Sequence, residues 1–280
     1  MLVRMRRLLK ILGTIIALVA GLALWGHLNA RSDPIVRRAA MTLPGWPEGA
    51  RPVTVVLLSD VHIGNSTMDA DRLTRIVTKV NALRPDLVLI AGDFASGHDP
   101  AGAPAGLEQL TPLSGLHPRL GTIATFGNHD EWTDPGLVRR TLEAAGVTVL
   151  DNQAVQRGPL AIGGAGDMAT RHQSVPALLR AMQSLKGARI VVTHSPDLAP
   201  ALPADITLLL AGHTHCGQIV LPLVGPLAEV SLSRYRCGIV REGARTTVVT
   251  AGLGTSVVPF RFGAPPDLWV LTLGPATIVR

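Results

Sequence analysis

Residues 53–62 read VTVVLLSDVH, and this stretch decides the fold. Apart from the closing serine, its first seven residues are apolar or β-branched, which is typical of a buried β-strand of ordinary length. Asp60 and His62 follow directly, two positions apart. In extended backbone, positions i and i+2 point to the same side, so we expect both side chains to face one site. The stretch predicts a core strand with a carboxylate and an imidazole at its carboxyl end.

Four later runs have the same organisation, in which an apolar run of strand length is followed at once by Asp, Asn or His. They are 86–91 with Gly92-Asp93, 121–126 with Gly127-Asn128-His129-Asp130, 188–193 with His194, and 206–211 with Gly212-His213-Thr214-His215. Open α/β sheets bind ligands at the carboxyl ends of their strands, so these side chains are expected to converge. Any one of them alone could equally cap a turn. An ordered set of five is not expected from capping.

The residue types indicate a metal site. Carboxylate oxygens and imidazole nitrogens suit divalent ions, and a pair of ions about 3.5 to 4 Å apart requires a ligand that bridges them. One shared Asp with several His fits that requirement. The glycines before Asp93, Asn128 and His213 are expected to allow tight turns that expose each ligand above the sheet.

The rest of the chain indicates an α/β sandwich with mixed sheets, because strand and helix patterns alternate and then give way to strand-rich sequence. Helical spacing of apolar residues predicts helices at 69–83, 135–145 and 175–185. Further strands are predicted at 147–150, 154–156, 160–163, 218–221, 246–251 and 268–273. The Gly- and Pro-rich residues 98–105 predict an irregular loop.

An apolar segment lies near the N-terminus. Residues 11–28 carry no formal charge apart from any on His27, and as a helix they span ~27 Å, enough to cross a bilayer. Four basic residues precede the segment, which places the N-terminus in the cytoplasm and the domain outside, although three arginines follow it. A signal peptide cut after Ala30 is the alternative, but Leu28 stands where a small residue is needed. We therefore predict an uncleaved anchor over 1–30, a proline-containing linker over 31–52 and a domain over 53–280.

The net charge of +6 belongs to this N-terminal region. Residues 1–40 hold seven basic residues and one acid, and the remaining 240 hold nineteen of each sign. No basic cluster follows Arg38, so nucleic acid is not an expected partner. Cys216 and Cys237 fit neither a redox motif nor a zinc finger. They would pair if the domain is exported, and two unlinked thiols are the alternative.

The ordered blocks Asp60-x-His62, Gly92-Asp93, Gly127-Asn128-His129-Asp130, His194 and Gly212-His213-x-His215 resemble those of the calcineurin-like metallophosphoesterases. The stretch from His213 through LPLVGP (221–226) and the tail GLGTSVVPFRFGAPPDLWVLTL from Gly252 are similar to a membrane-associated bacterial phosphodiesterase branch. That branch includes enzymes that hydrolyse UDP-2,3-diacylglucosamine. The resemblance covers about residues 53–273 and implies a four-layer α-β-β-α sandwich with two mixed sheets. Cys216 departs from the branch, which often has Gly there.

The resemblance also implies a role for each site residue. One metal would be held by Asp60, His62 and His215, the other by Asn128, His194 and His213, with Asp93 bridging. His129 would be the general acid for the leaving group, with Asp130 orienting it. Two divalent ions are expected, with Mn favoured over Fe, Zn or Mg.

The function predicted from these features is hydrolysis of a phosphodiester or pyrophosphate bond near a membrane, on a lipid-linked or nucleotide-linked substrate. A phosphomonoesterase or protein phosphatase is the nearest alternative, and a catalytically silent, membrane-tethered binding module is an alternative of another class. Relatives that act on lipid A precursors work at the inner face, against the predicted orientation. The sequence gives no oligomeric state.

Other candidate residues lie outside this set. The histidines at 27, 98 and 117 are expected to be solvated. Arg171 and His172 could grip a second phosphate, and Arg261 has a similar claim, but a surface position would explain them equally well.

Overall fold

The computed structural model describes residues 2–97 and 104–275, with only the backbone described at 2, 104 and 105. The loop predicted at 98–105, including His98, lies largely outside the described residues. Within them the helices are α1 (Leu2–Ala30), α2 (Ala70–Ala82), α3 (Pro104–Leu107), α4 (Asn128–Thr133), α5 (Pro135–Ala144) and α6 (Val175–Met182).

The strands in the described part of the chain are mostly short and buried, and two of them form a small surface hairpin. In chain order they are β1 (Ile35–Leu43), β2 (Val53–Leu58), β3 (Leu87–Ala91), β4 (Thr122–Thr125), β5 (Val147–Val149), β6 (Gln153–Arg157), β7 (Leu160–Gly164), β8 (Ala188–Val192), β9 (Leu208–Ala211), β10 (Val220–Leu221), β11 (Gly225–Pro226), β12 (Gly238–Glu242), β13 (Arg245–Val249) and β14 (Asp267–Pro275).

Twelve of these strands form two six-stranded mixed sheets. The first has the order β1-β14-β2-β3-β4-β5, and the second has the order β12-β13-β9-β8-β7-β6. In the first sheet β2 to β5 are parallel and β14 is antiparallel to β2. In the second, β7, β8, β9 and β13 are parallel, with antiparallel β6 and β12 at the edges. The predicted mixed sheets are confirmed.

Three apolar layers separate four layers of secondary structure. Alternate residues of β2 such as Val55 and Leu57 pack with Ile190 and Leu208 between the sheets. The other face of the first sheet packs on α2 and α5, and the other face of the second sheet packs on α6. Because a sheet buried on both faces needs apolar residues at every position, the core strands read as continuous apolar runs. The predicted α-β-β-α sandwich is confirmed.

Two of the predicted helices, α2 and α5, begin at residues whose side chains cap them. Asp69 caps α2 by accepting a hydrogen bond from the Arg72 N–H, and Asp134 caps α5 by accepting one from the Leu137 N–H. The apolar residues predicted to share one face of α2 are all buried: Leu73, Ile76, Val77 and Val80.

Residues 31–52, predicted as a linker, contribute a strand to the first sheet, so that part of the prediction needs correction. All nine residues of β1 pair in parallel with β14. The prolines on either side of β1 indicated an extended connection. The strand itself carries Arg37 and Arg38, which an edge strand tolerates because one side of it faces solvent. Arg37 forms an ion pair with the buried carboxylate of Asp267.

The direction of β1 decides where the N-terminal helix meets the domain. β1 is parallel to β14, and β14 is antiparallel to β2, so β1 runs opposite to β2. The start of β1 therefore lies at the carboxyl ends of β2, β3 and β4. The chain enters the domain from α1 at the edge where Asp60 and Asp93 stand.

The last turns of α1 are bound to the domain. Gly26 O accepts a hydrogen bond from the Arg261 N–H at 3.0 Å, and Asn29 Nδ2 donates to Arg261 O at 3.0 Å. The Trp25 and Phe262 rings lie 5.3 Å apart, and Ala30 is fully buried. His27, predicted to be solvated, is half-buried, with Nδ1 3.1 Å from the Pro259 carbonyl oxygen. Cleavage after Ala30 would remove all these contacts.

Candidate metal centre

The first ligand group joins the ends of β2 and β9. His215 Nε2 lies 3.3 Å from Asp60 Oδ1 and 3.2 Å from His62 Nε2. All three side chains are buried. The three could hold one ion, since one ligand atom from each lies within 4.8 Å of the others. Asp60 Oδ1 is buried and has no hydrogen-bond partner, as expected of a carboxylate oxygen that binds a cation.

The second group joins the ends of β4, β8 and β9. His194 Nε2 lies 3.2 Å from Asn128 Oδ1 and 3.0 Å from His213 Nδ1. Asn128 and His194 are buried and His213 is half-buried. Amide oxygen with two imidazoles is a donor set that accepts a divalent ion.

Asp93 lies between the two groups. Its Oδ2 is 3.5 Å from His62 Nε2 on one side and 3.2 Å from His194 Nε2 on the other. Its Oδ1 accepts a hydrogen bond from the His129 N–H at 2.9 Å. The carboxylate therefore faces both groups from one position, which is the geometry that a bridging ligand requires.

The spacing of the donor atoms fits metal coordination. Ligand atoms about 2.1 Å from a common ion lie about 3.0 to 3.4 Å from one another in octahedral or tetrahedral geometry. The neighbouring donors within each group lie 3.0 to 3.3 Å apart. The residues present therefore fit two divalent ions.

The backbone at these ligands is strained. Asp60, His62, Asp93, His213 and His215 all have φ between 47° and 70°. The left-handed region is unfavourable for residues with a Cβ and is concentrated at functional sites. The i, i+2 spacing was predicted to work through extended backbone, and that reason is wrong. Left-handed turns after the strands direct these side chains to the centre.

The three glycines before the ligands have two different roles. Gly92 adopts φ +79°, and a Cβ there would lie 2.6 Å from the Gly127 nitrogen. At Gly127 a Cβ would overlap the Asp93 carboxylate, and at Gly212 it would overlap Ser59. Only Gly92 supplies the predicted turn, because Gly127 has ordinary extended backbone. Gly127 and Gly212 allow close approach of neighbouring chain.

Backbone carbonyls orient the imidazoles. His62 Nδ1 lies 3.0 Å from Ala95 O, and His194 Nδ1 lies 2.8 Å from Ala91 O. A donating Nδ1 leaves Nε2 free to ligate, which is the usual arrangement for metal-binding histidine. Arg261 is fully buried, with Nη2 3.2 Å from His215 Nδ1 and 2.7 Å from the carbonyl oxygens of Ala251 and Gly254. It lies behind His215 and is not among the residues that line the cavity.

Burial and neighbouring charge make the site attractive to a cation. Burial lowers the pKa of His62 to about 3 and that of His215 well below its usual value, so both are neutral ligands. Burial favours the protonated form of Asp93, but the charge of His194 outweighs it and holds the Asp93 pKa well below 3.8. Burial would also lower the pKa of His194, yet Asp93 raises it to about 10. Positive charge is thus stabilised beside Asp93.

Asp130 holds the turn that carries Asp93. Its carboxylate accepts hydrogen bonds of 2.8 to 3.0 Å from the N–H groups of Asp93, Phe94, Ala95 and Gly127. Burial raises its pKa to about 7. These contacts fix two backbone segments of the centre, and the role implied by the resemblance, orienting His129, stays a prediction.

His129 is the second residue of α4 and lines the cavity beside the ligand groups. Its Nδ1 lies 3.1 Å from Gly97 O, and its Nε2 lies 3.2 Å from Ser256 Oγ. His129 also forms a possible ligand group with His62 and Asp93. Ser256 was not predicted, because a single serine in a C-terminal loop carries no recognisable signal.

Three further predictions concern residues outside the ligand groups. Cys216 and Cys237 form a disulfide, so the paired alternative is the one observed. Arg171 and His172 are exposed and do not line the cavity, and His172 instead lies 3.4 Å from Glu131. His117 is exposed, as predicted.

A cavity of about 400 Å³ opens at the centre. Its lining includes ligand-type residues of the centre, namely Asp93, Asn128, His129, His213 and His215. The lining also includes apolar side chains, namely Trp132, Ile219, Leu227, Val230, Val257 and Val258. A substrate with a polar reacting group and an apolar substituent would match this lining.

The two-sheet sandwich and the joined ligand groups at its strand ends define a metal-dependent phosphoesterase. The chain belongs to the calcineurin-like phosphoesterase family, whose sequence profile matches residues 53–217.

Similar proteins include membrane proteins and a phosphodiesterase. The transmembrane protein with metallophosphoesterase domain of Danio rerio is 31% identical over 280 residues, covering 93% of this chain and 62% of that one. Phosphodiesterase YaeI of Escherichia coli is 31% identical over 252 residues, covering 82% of this chain and 89% of that one. The uncharacterized metallophosphoesterase YkuE of Bacillus subtilis is 29% identical, covering 81% of each. The chain thus spans less than two thirds of the Danio protein.

Proposed function

We propose that this protein is a binuclear hydrolase of phosphodiester or pyrophosphate bonds in amphiphilic substrates at a membrane. The observation that carries the proposal is the position of Asp93, whose carboxylate faces both ligand groups and lines a cavity with many apolar residues. A single carboxylate facing two donor sets is required for two ions that act on one phosphate.

The residues would divide between two ions as the distances suggest. Asp60, His62 and His215 would hold one ion, Asn128, His194 and His213 the other, and Asp93 both. When bound, such ions activate water at neutral pH and offset negative charge on phosphoryl oxygens. We propose Mn²⁺ as the ion, with Fe, Zn and Mg²⁺ as alternatives that the donor set accepts.

His129 would protonate the leaving-group oxygen. His129 lines the cavity, with Nδ1 3.1 Å from Gly97 O and Nε2 3.2 Å from Ser256 Oγ. A proton on Nε2 can pass to an ester oxygen as its bond to phosphorus breaks. Asp130 would act indirectly, by fixing the backbone of Asp93 and the start of α4.

The apolar wall of the cavity supports an amphiphilic substrate. Acyl or prenyl chains are the substituents of natural phosphodiesters and pyrophosphates that need such a wall, and α1 would keep the enzyme where they concentrate. A lipid-linked nucleotide such as UDP-2,3-diacylglucosamine fits this chemistry.

We propose that the domain lies on the extracytoplasmic side. Four basic residues precede the apolar part of α1 and favour a cytoplasmic N-terminus. The Cys216–Cys237 disulfide fits an oxidising compartment. On that side the natural substrate would be a lipid-linked phosphodiester or pyrophosphate found outside the cytoplasm, and UDP-2,3-diacylglucosamine would serve as a chemical probe of that class.

The experiment uses the full chain in nanodiscs loaded with Mn²⁺. Hydrolysis of bis(p-nitrophenyl) phosphate, p-nitrophenyl phosphate and UDP-2,3-diacylglucosamine is compared in the same preparation. Preference for the first or third supports the proposal, and preference for the second supports a phosphomonoesterase. Two bound ions with no turnover of any substrate would support the silent binding module.

A further inference from the structure

Exposed apolar side chains of the domain are concentrated at one edge. In the described residues after α1, the large apolar side chains exposed to solvent all stand near the carboxyl ends of the core strands or at the start of β1: Ile35, Trp132, Leu221, Leu223, Val224, Leu227, Val230, Leu232, Val257 and Val258. Leu223 is fully exposed and Val257 is 90% exposed. The opposite edge has none among the described residues. Such a one-sided patch indicates an interaction surface.

Two segments carry most of this surface, and we call them the apolar rim: residues 219–232, which include the β10–β11 hairpin, and residues 256–262. The segments are held together, since Ile219 bridges to Phe262 and Gln218 Nε2 donates to the carbonyl oxygens of Ser256 and Val258 at 2.9 and 3.0 Å. The rim is therefore one connected surface.

The rim is continuous with the end of α1. Phe262 packs on Trp25, and the Arg261 N–H donates to Gly26 O, both within the last apolar turns of the helix. α1 is long and apolar enough to cross a membrane, and its apolar window is not buried by the domain. Tryptophan is favoured at the membrane–water interface, so Trp25 sets the level at which a bilayer would end. Phe262 contacts Trp25 at that level, and the rest of the rim is joined to Phe262.

The charges of the rim do not oppose lipid contact. Its two charged residues are Glu229 and Arg261. Glu229 is paired with Arg236, and Arg261 is fully buried and donates to the carbonyl oxygens of Ala251, Gly252, Gly254 and Ala264. An apolar surface without unpaired charge can enter the interfacial region of a bilayer at low electrostatic cost.

We propose that the apolar rim inserts into the same bilayer that α1 crosses, as a second membrane contact. The domain then stands on the membrane through two connected contacts, with the edge that bears the metal centre facing the lipid. The cavity lined by Val257, Val258 and Leu227 opens beside the bilayer and not toward bulk water. A second copy of the chain or another protein would not need a surface continuous with the end of a membrane span, so lipid is the occupant that the geometry favours.

The test measures the depth of the rim in full-length protein. The chain has only two cysteines and they are paired, so Leu223→Cys provides a single thiol for an environment-sensitive fluorophore. Glu48→Cys is the matched control, because Glu48 is exposed at the opposite edge, before β2. In liposomes containing nitroxide-labelled lipids, we expect quenching at position 223 to exceed that at position 48 at least threefold. Equal quenching at the two positions would overturn the proposal.

A second variant keeps the test decisive if Leu223→Cys does not fold. Val257→Cys places the label on the other segment of the rim and should give the same lipid quenching as Leu223→Cys. Circular dichroism melting of each labelled protein checks the fold. A blue-shifted emission that depends on protein concentration, without quenching by labelled lipid, would show contact with a second copy and would overturn lipid insertion.

Discussion

Asp93 uses both of its oxygens, one toward the two ligand groups and the other to accept the His129 N–H. In Asp93→Asn an amide NH₂ replaces one carboxylate oxygen. The side chain keeps its shape but loses its negative charge and one oxygen that could bind a metal. We predict that Asp93→Asn lowers bound Mn²⁺ from two ions per chain to one or none, measured by elemental analysis after loading.

The control for this variant is Asp71→Asn, since Asp71 is exposed in the first turn of α2. It should retain two ions. Full occupancy by two ions in Asp93→Asn would contradict a bridging role.

His129 has a separate expected effect. Its imidazole lines the cavity, and its proposed role as general acid depends on a proton and not on holding an ion. We predict that His129→Ala lowers turnover of bis(p-nitrophenyl) phosphate about 100-fold, the usual effect of losing a positioned general acid, with metal content unchanged. His117→Ala, at an exposed site, should leave turnover unchanged. Parallel loss of metal and activity in His129→Ala would assign His129 to the ligands.

At the residue scale, the sequence predicts which side chains come together but not the backbone conformation that brings them together. Each of the seven ligand-type residues follows a strand, so their meeting at one sheet edge follows from topology. The left-handed backbone of Asp60 and His213 could not be predicted, because it depends on contacts between the two sheets. Asp130 shows the same limit, since its amide partners lie on segments far from it in sequence.

At the scale of elements, the turn between β3 and Asp93 depends on Gly92. A Cβ there meets the Gly127 nitrogen, whereas Gly146 has nearly the same φ, +78°, with no atom within 4 Å of its Cβ position. Gly146→Ala therefore incurs only the backbone cost of about 1 kcal/mol. We predict that Gly92→Ala lowers the free energy of unfolding by about 1 to 3 kcal/mol more than that, by steric overlap. Urea denaturation measures the free energy of unfolding of both variants. Equal losses in Gly92→Ala and Gly146→Ala would show that the overlap with the Gly127 nitrogen is relieved by a small shift and would contradict the prediction.

The disulfide connects the residue after His215 to the residue before β12. It closes a loop with a separation of 21 residues that carries much of the apolar rim. We predict that Cys237→Ser lowers the free energy of unfolding by about 3 kcal/mol, mainly through the unfolded state. Dithiothreitol should destabilise the wild type and leave Cys237→Ser unaffected. A reductant effect of equal size on both would contradict this account.

Elements with a continuous apolar run or a helical period could be predicted, and those with neither could not. β1 carries two arginines between prolines, so only its pairing with β14 reveals it as a strand. α4 is six residues long and consists largely of site residues, so its sequence reads as a motif and not as a helix. β11 contains a proline and forms only with its hairpin partner.

At the scale of the whole molecule, three features support the proposed extracytoplasmic position of the domain: the apolar helix α1, the disulfide and the basic residues at the N-terminus. The end of β14 lies at the edge opposite α1, so a fusion after Arg280 should not disturb the membrane contacts. We predict that alkaline phosphatase fused there is active in bacterial cells and that green fluorescent protein at the same site is dark. Fusions after Lys10 should give the reverse pattern. A fluorescent fusion after Arg280 would place the domain in the cytoplasm.

The place of β14 between β1 and β2 also bears on how the chain is made. The first strand of the domain to be synthesised, β1, cannot pair until β14 has been made more than 200 residues later. During that interval the first sheet lacks β14, so the edges of β1 and β2 that it joins stay unpaired. The first sheet is therefore completed only by its carboxyl-terminal strand, and we expect a stalled or truncated product to be a substrate for quality-control proteases.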